Sequence, residues 1–266
     1  MTAPSGPRAI ILTLLGFAVY LWLRPYFGEV KSWLDGLTGI GLLSYMLTYL
    51  LFGLPLFVAT GLINRDGRIF RHLGLVAPVG PALGWALVFA LPMLLGGALF
   101  FPLAQELSAA NLIAGSLVIG WVEEVFFRGF LFGQLYRHTR LGFLPAIFVG
   151  AVVFATGHLY QSQETGELLG IFAVTFMGAV LFAWLYVEWD DNLWVPIFLH
   201  ALMNLAWHLF DMDTTALGGA LPNLLRGLTI ALAILLTIRH RRRRGQPMAI
   251  TRRGLWWKEG ETGGAG

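Results

Sequence analysis

Eight long apolar runs alternate with short polar segments along the chain. They cover 9–23, 37–63, 81–103, 111–136, 142–158, 168–187, 193–210 and 218–238. A helix crosses a bilayer with about 20 consecutive apolar residues, and most of these runs have roughly that length. The pattern therefore predicts an all-α fold, a polytopic membrane bundle of about eight transmembrane helices.

The first run is the shortest and has the length of the apolar core of a signal peptide. No small-residue cleavage site follows it, and Arg24 and Pro25 end it. We therefore interpret 9–23 as the first helix of the bundle.

The composition also indicates a membrane environment. Of the 266 residues, 57% are hydrophobic and only 12% are charged, and the mean hydropathy is +0.70. A soluble domain of this size cannot bury so large an apolar fraction, because too much of its surface faces water. The sequence contains no cysteine, which excludes disulfides, thiolate metal ligands and a cysteine nucleophile.

With eight crossings, most arginines of the connecting segments fall on one side of the membrane. These are Arg65, Arg68, Arg71, Arg137, Arg140 and the basic block 239–244. By the positive-inside rule this face is cytoplasmic, and so are both termini. We expect a bundle over 1–238, a basic cytoplasmic tail over 239–266, and a location in a bacterial inner membrane. The basic block accounts for the pI of 9.4, so nucleic acid is not an expected partner.

Three ionisable residues interrupt the run 111–136: Glu123, Glu124 and Arg128. A charge at the bilayer centre costs about 2.5–3.5 kcal/mol, so such residues usually face the protein interior and pair with one another. Because helix residues turn by about 100° each, Glu124 and Arg128 share a face and can form an ion pair. Glu123 has no such partner, and is either a general acid or base, or a spectator beside a structural ion pair.

Two later runs carry further polar side chains. His158 ends the fifth run, where it is either a site residue or an interfacial histidine. His200, Asn204 and His208 are spaced four residues apart and therefore line one stripe of a helix. Such a stripe faces protein or a water-filled cavity rather than lipid, either to bond another helix or to form part of a site.

Together these side chains place a carboxylate, two imidazoles and an amide on three helices that can meet in the core. Glu123 can then take a proton from water while a histidine and Asn204 polarise a carbonyl. Alternatively, Glu123, His158 and His200 can bind a divalent metal such as Zn²⁺ with one open position. The residues leave open whether the cofactor is such a metal or none.

Three motifs occur in order on these apolar runs. They are Glu-Glu-x-x-x-Arg at Glu123–Arg128, Phe-x-x-x-His at Phe154–His158 and His-x-x-x-Asn at His200–Asn204. In this order they resemble the motifs of the CAAX prenyl protease and bacteriocin-processing family of intramembrane proteases. The similarity spans about 110–210, the expected catalytic core, and leaves the first three helices outside it.

The resemblance implies a role for each matching residue. Glu123 corresponds to the glutamate that activates the attacking water, and Glu124 with Arg128 to its supporting pair. The later motifs imply the remaining catalytic residues, two histidines and the oxyanion contact, at His158, His200 and Asn204.

The resemblance also implies the reaction, which is hydrolysis of a peptide bond by a membrane-embedded endopeptidase. The expected partners are the lipid bilayer and a membrane-associated or lipidated protein or peptide substrate. Members of this family are described both as metalloproteases and as metal-free glutamate proteases, and the sequence agrees with either mechanism.

Two other classes of protein use similar residues. One is a non-proteolytic scaffold or bacteriocin self-immunity protein of the same superfamily, in which the polar core is structural or binds a partner. The other is a transporter with an intramembrane relay of Glu and His. An unpaired Glu123 favours a protease over a scaffold, and the absence of visible related halves in the sequence argues against a transporter.

Overall fold

The structure is a computed structural model that describes residues 6–105 and 107–258. Its helices, in chain order, are α1 (Gly6–Leu23), α2 (Phe27–Thr38), α3 (Gly41–Asn64), α4 (Ile69–His72), α5 (Val79–Phe100), α6 (Ala109–His138), α7 (Phe143–Thr156), α8 (Thr165–Glu188), α9 (Trp194–Leu209) and α10 (Ala220–Arg243). Within the described residues there is no β-strand, and an isolated bridge joins Leu141 to Trp257.

Seven helical segments of the described chain are long and apolar enough to cross a membrane. They confirm the all-α polytopic bundle and an integral, multi-pass membrane protein. The count differs by one from the eight predicted crossings because α9 has only 16 residues. At 1.5 Å per residue, α9 is about 24 Å long, which is less than the roughly 30 Å of a bilayer core.

The start of α9 is covered by the loop that precedes α5. The backbone N–H of Leu193 donates to the carbonyl of Gly74 at 3.1 Å, and the indole N–H of Trp194 donates to the carbonyl of Leu75 at 3.0 Å. The loop before α5 thus covers the N-terminus of α9. Because α9 begins inside the bundle, His200 reaches the middle of α6 although it lies early in its own helix.

α6 and α9 pack at close range. A Cβ atom on Gly120 of α6 would lie 3.0 Å from the backbone nitrogen of Ala201 and 3.2 Å from its Cα atom. A small residue at this point lets the two backbones approach, as is common between membrane helices. Gly120 therefore permits the short distance between the two helices that carry most of the polar residues.

α6 is not a regular α-helix. It contains two stretches of π-helix, Ile113–Val118 and Glu124–Phe132. The sequence pattern did not predict them, because both stretches are apolar apart from a few residues. Such π-turns are frequent at functional sites.

The arginine groups noted in the sequence lie at one end of the bundle, which we call the arginine-rich face. Arg137 at the end of α6 is 3.4 Å from Asp191, just after α8, and Arg241 of α10 is 3.3 Å from Glu188 of α8. The opposite face is the end at which α7 and α9 end and α8 and α10 begin.

The chain after α10 lies across the arginine-rich face. The buried carboxylate of Glu188 accepts hydrogen bonds from the backbone N–H groups of Ala249 and Ile250, at 2.9 and 3.0 Å. Further on, the N–H of Gly142 donates to the carbonyl of Trp256 at 2.8 Å. α10 continues five residues beyond the expected boundary at 238, and residues 259–266 of the expected tail lie outside the described residues.

Candidate active site

The two neighbouring glutamates of α6 have different surroundings. The side chain of Glu124 is fully buried, whereas that of Glu123 is 21% exposed and lines a cavity. Oε1 of Glu124 lies 3.0 Å from a terminal guanidinium nitrogen of Arg128, so these two residues form the ion pair that their spacing predicts. The carboxylate of Glu123 forms no hydrogen bond to any residue in the described part of the chain.

His200 lies between the two glutamates. Its Nδ1 is 2.7 Å from Oε1 of Glu124, and its Nε2 is 3.6 Å from Oε2 of Glu123. A carboxylate beside Arg128 accepts hydrogen bonds, so Nδ1 carries a proton, and in the neutral ring Nε2 is then the acceptor. The distance from Nε2 to Glu123 is too long for a direct hydrogen bond and is compatible with a bridging group.

Two aromatic rings enclose the buried guanidinium of Arg128. Its Cζ lies 4.5 Å from the ring centroid of Phe154 and 5.4 Å from that of Phe182. The guanidinium nitrogens make no aligned hydrogen bond to the described residues, so the 3.0 Å contact with Glu124 is an ion pair of poor hydrogen-bond geometry. Phe182 also stacks on His200, with centroids 4.9 Å apart. These rings therefore hold both Arg128 and His200 in position.

His158 lies just beyond the end of α7, which stops at Thr156, two residues earlier than predicted. Its Nδ1 donates to the carbonyl of Phe154 at 2.8 Å, and the two rings are 4.6 Å apart. His158 lines the same cavity as Glu123. Among the described residues it forms no ion pair with Glu123 within 4.0 Å.

Asn204 and His208 continue the polar stripe of α9 and line the cavity together with His200. The side-chain amide of Asn204 donates a long hydrogen bond, 3.4 Å, to the carbonyl of Gly115 on α6. Gly115 also lies beside His208, since a Cβ atom there would be 3.4 Å from the histidine Nε2. The stripe therefore faces α6 and the cavity, as expected for polar residues on a membrane helix.

The cavity has a volume of 1520 Å³. This exceeds the roughly 300–1,000 Å³ that is typical of small-molecule sites, and suits a peptide segment better. It extends from Glu123 to the opposite face, where Tyr160, Gln161 and the loop 213–216 line it. No residue of the described arginine-rich loops 65–72 and 137–142 lines it.

A further wall of the cavity comes from α1 and α3 and the turn after α1. It consists of Tyr20, Arg24, Tyr45 and Tyr49. The hydroxyls of Tyr45 and Tyr49 are 3.5 Å apart. The sequence pattern did not indicate these residues as part of the site, although a hydroxyl pair at four-residue spacing in an apolar run was an available signal. Phe182 had no such signal, because it is one apolar residue in an apolar helix.

The alternative metal ligands, Glu123, His158 and His200, are not arranged as a metal site. Among the described residues no three His, Asp or Glu side chains are grouped closely enough to hold an ion. Nδ1 of His200 donates to Glu124 and Nδ1 of His158 to a backbone carbonyl, so only Nε2 of each ring is available as a ligand. The donor set in this arrangement does not fit a metal, so no catalytic step is assigned to one.

A comparison with known families matches the part of the chain that carries these motifs. Residues 105–206 match the family model described as type II CAAX prenyl endopeptidase Rce1-like. A stretch of 96 residues is 36% identical to the "Putative membrane peptidase YdiL" of Bacillus subtilis (strain 168), and covers 35% of this chain. The match spans 34% of that protein, about a third of its length. No solved structure matches. The match over residues 105–206 confirms the resemblance predicted from the three motifs.

Proposed function

Because residues 105–206 carry the Rce1-like domain of CAAX prenyl endopeptidases, we propose that this protein is a membrane-embedded endopeptidase. Its substrate is a membrane-associated or lipidated protein or peptide. The observation that carries the proposal is the position of Glu123, an unpaired carboxylate that faces Nε2 of His200 at 3.6 Å in a large cavity.

In the proposed reaction, a water molecule lies between Glu123 and His200 and donates a hydrogen bond to each. Glu123 takes a proton from this water while the water oxygen attacks the scissile carbonyl carbon. A C–O bond forms, and the carbonyl electron pair moves to the oxygen. When the C–N bond breaks, the leaving amine takes the proton from Glu123, and the carbonyl is restored as a carboxylic acid.

The developing oxyanion requires hydrogen-bond donors in the same cavity. The amide of Asn204 is one candidate, because its present hydrogen bond to Gly115 is long and easily exchanged. His158 also lines the cavity, but its Nδ1 proton is donated to the carbonyl of Phe154, so we assign its Nε2 the role of an acceptor for the attacking water or for a substrate N–H. Glu124 and Arg128 act through His200, since neither lines the cavity.

Replacement of Glu123 by Gln tests this function. Cells that carry the unmodified protein and cells that carry Glu123→Gln are compared by mass spectrometry of their membrane peptides. We expect a defined set of cleavage products to disappear with Glu123→Gln while the amount of protein in the membrane is unchanged.

Glu29→Gln is the matched control, because Glu29 is exposed on α2 and does not line the cavity. This variant keeps the cleavage products. If Glu123→Gln keeps them as well, Glu123 is not the general base. If the unmodified protein forms no specific products, a scaffold or immunity protein is the better account.

A further inference from the structure

Residues 245–258, which we call the C-terminal strap, are held against the bundle at two points. Near the start of the strap, the buried carboxylate of Glu188 on α8 accepts hydrogen bonds from two backbone N–H groups of the strap. Near its end, the N–H of Leu144 on α7 donates to the carbonyl of Leu255 at 2.9 Å. The strap therefore has a fixed position, unlike a free basic tail.

The second half of the strap lies beside the turn between α6 and α7. The N–H of Lys258 donates to the carbonyl of Arg140 at 2.9 Å, and Leu141 forms a bridge with Trp257. Both α6 and α7 are long and apolar enough to cross a membrane, so the turn that joins them lies at a membrane surface. This half of the strap is therefore at the depth of the lipid headgroups.

Two neighbouring tryptophans of the strap are largely uncovered by the rest of the protein. Trp256 and Trp257 are 64% and 63% exposed. Tryptophan side chains accumulate at membrane interfaces, where the apolar part of the ring leaves water and the indole N–H keeps a polar partner. A pair of exposed indoles at headgroup depth therefore indicates that this part of the strap contacts lipid.

The charges around the two tryptophans are positive. Arg252 and Arg253 are exposed, and neither forms an ion pair within 4.0 Å with an acidic residue of the described chain. The acidic side chains on the described part of this face are already engaged by other basic side chains. They are Asp66, Glu188, Asp190 and Asp191. Within the described residues, the two strap arginines thus present positive charge that no carboxylate compensates.

This combination of side chains suits the phosphodiester of an anionic lipid. A guanidinium donates two parallel hydrogen bonds to a phosphate and keeps its charge at every physiological pH. Basic side chains at a membrane surface attract anionic lipid over about one Debye length. A free tail would attract such lipid diffusely, whereas the fixed strap holds two guanidinium groups and two indoles in one place.

We propose that the C-terminal strap is a binding site for anionic phospholipid. In this site Arg252 and Arg253 bind the phosphate of a headgroup, while Trp256 and Trp257 enter the interface beside it. The inference goes beyond the proposed endopeptidase function and does not depend on it, since no residue of the strap lines the cavity. A lipid bound there fastens the strap over the turn between α6 and α7.

Vesicles of defined composition test the site. The chain lacks cysteine, so a bimane fluorophore on the exposed Thr251→Cys reports on the strap beside its arginines. The full-length protein is placed in phosphatidylcholine vesicles with a minor fraction of phosphatidylglycerol. Bromine on the acyl carbons nearest the headgroup quenches bimane on contact, and is carried either by the phosphatidylglycerol or by an equal amount of phosphatidylcholine. We expect brominated phosphatidylglycerol to quench roughly twofold more strongly.

Removal of the two strap arginines should abolish this preference. We expect the two brominated lipids to quench the double variant Arg252→Gln, Arg253→Gln equally. The double variant Arg68→Gln, Arg71→Gln is the matched control, because it removes the same charge from exposed positions elsewhere on the arginine-rich face and keeps the preference. The site is overturned if the unmodified strap shows no preference, if the preference survives without the strap arginines, or if the control loses it to the same extent.

The role of the tryptophans is tested with the same fluorophore. We expect the double variant Trp256→Ala, Trp257→Ala to be quenched less by both lipids, because the strap leaves the interface. The double variant Trp256→Phe, Trp257→Phe keeps most of the quenching, since it retains apolar rings. Unchanged quenching of the alanine variant would show that the indoles do not enter the interface.

A phosphate group can also come from solution, and a final comparison separates the two sources. The measurement is repeated in inorganic phosphate and in sodium chloride of the same ionic strength, which screen charges equally. A strap that binds lipid keeps the same preference for phosphatidylglycerol in both. Loss of the preference in phosphate alone would show a site for free phosphate and overturn the assignment to lipid.

Discussion

Nδ1 of His200 donates a hydrogen bond of 2.7 Å to Oε1 of Glu124. The glutamate side chain is fully buried, and that of the histidine is 10% exposed. The same Oε1 lies 3.0 Å from Arg128. One carboxylate oxygen therefore fixes the ring of His200 and neutralises the buried guanidinium.

This arrangement predicts that Glu124→Ala destabilises the protein more than Glu123→Gln does. Removal of one partner from a buried ion pair costs about 3–5 kcal/mol, because the other charge stays buried without compensation. Glu123 has no ion-pair partner on its own helix, so its replacement costs much less. Thermal unfolding in detergent measures both, and a lower Tm for Glu123→Gln than for Glu124→Ala would contradict the assigned roles.

The contact between α6 and α9 predicts that Gly120→Ala impairs activity. The added methyl group would lie 3.0 Å from the backbone of Ala201, which cannot move as a side chain can. α9 must shift, and His200 moves away from Glu124 and Glu123. We expect a destabilisation of about 1–3 kcal/mol, as for other overpacked sites, together with reduced cleavage.

Gly84→Ala is the control for Gly120→Ala, because its added methyl group has no atom within 4 Å. Thermal unfolding and membrane peptide analysis are run on both variants. Equal Tm values and equal cleavage for the two variants would show that the close approach of α6 and α9 at Gly120 affects neither stability nor activity.

The polar residues that line or border the cavity are conspicuous in the sequence, because charges and imidazoles stand out in apolar runs. The ion pair of Glu124 with Arg128 follows from helical spacing alone. The short α9 was not predicted, because its apolar run does not reveal that a loop covers its N-terminus. The contact between His200 and Glu124 depends on how deep in the bundle α9 begins. The sequence pattern of neither helix shows this depth.

Residues that shape the cavity were also harder to predict. Phe182 is ordinary in an apolar helix, and only the positions of α6 and α9 give it a role. Tyr20 and Tyr45 lie on helices outside the stretch with recognised motifs. Their contribution to the cavity follows from how α1 and α3 pack against α6, which the motifs do not specify.

The donor arrangement predicts that the activity does not depend on a metal. Glu123, His158 and His200 are not grouped as ligands among the described residues. We expect purified protein to contain less than one equivalent of zinc by elemental analysis, and cleavage to persist after treatment with a chelator. Stoichiometric zinc, with activity that is lost on chelation and restored by zinc, would require a rearranged site.

The distribution of arginines predicts that the arginine-rich face is cytoplasmic. Because the chain has no cysteine, single cysteines report the side without background. In intact spheroplasts, a membrane-impermeant maleimide should label Gln163→Cys, in the loop before α8. It should label Phe70→Cys, on the short helix α4 that follows α3, only after the membrane is permeabilised. The reverse labelling pattern would show that the opposite face, to which the cavity extends, is the cytoplasmic one.

The contact between Glu188 and the chain after α10 predicts that Glu188→Gln loosens this segment. The carboxylate accepts two backbone hydrogen bonds and pairs with Arg241, and an amide loses the charge and part of the acceptor capacity. We expect trypsin to cleave at Arg252 or Arg253 faster than in the unmodified protein. Asp190→Asn is the matched control, because Asp190 also pairs with Arg241 but its side chain is 57% exposed, and an exposed pair contributes little. Equal cleavage rates for the two variants would show that Glu188 does not hold the segment, whereas faster cleavage of Glu188→Gln alone would show that its buried carboxylate does.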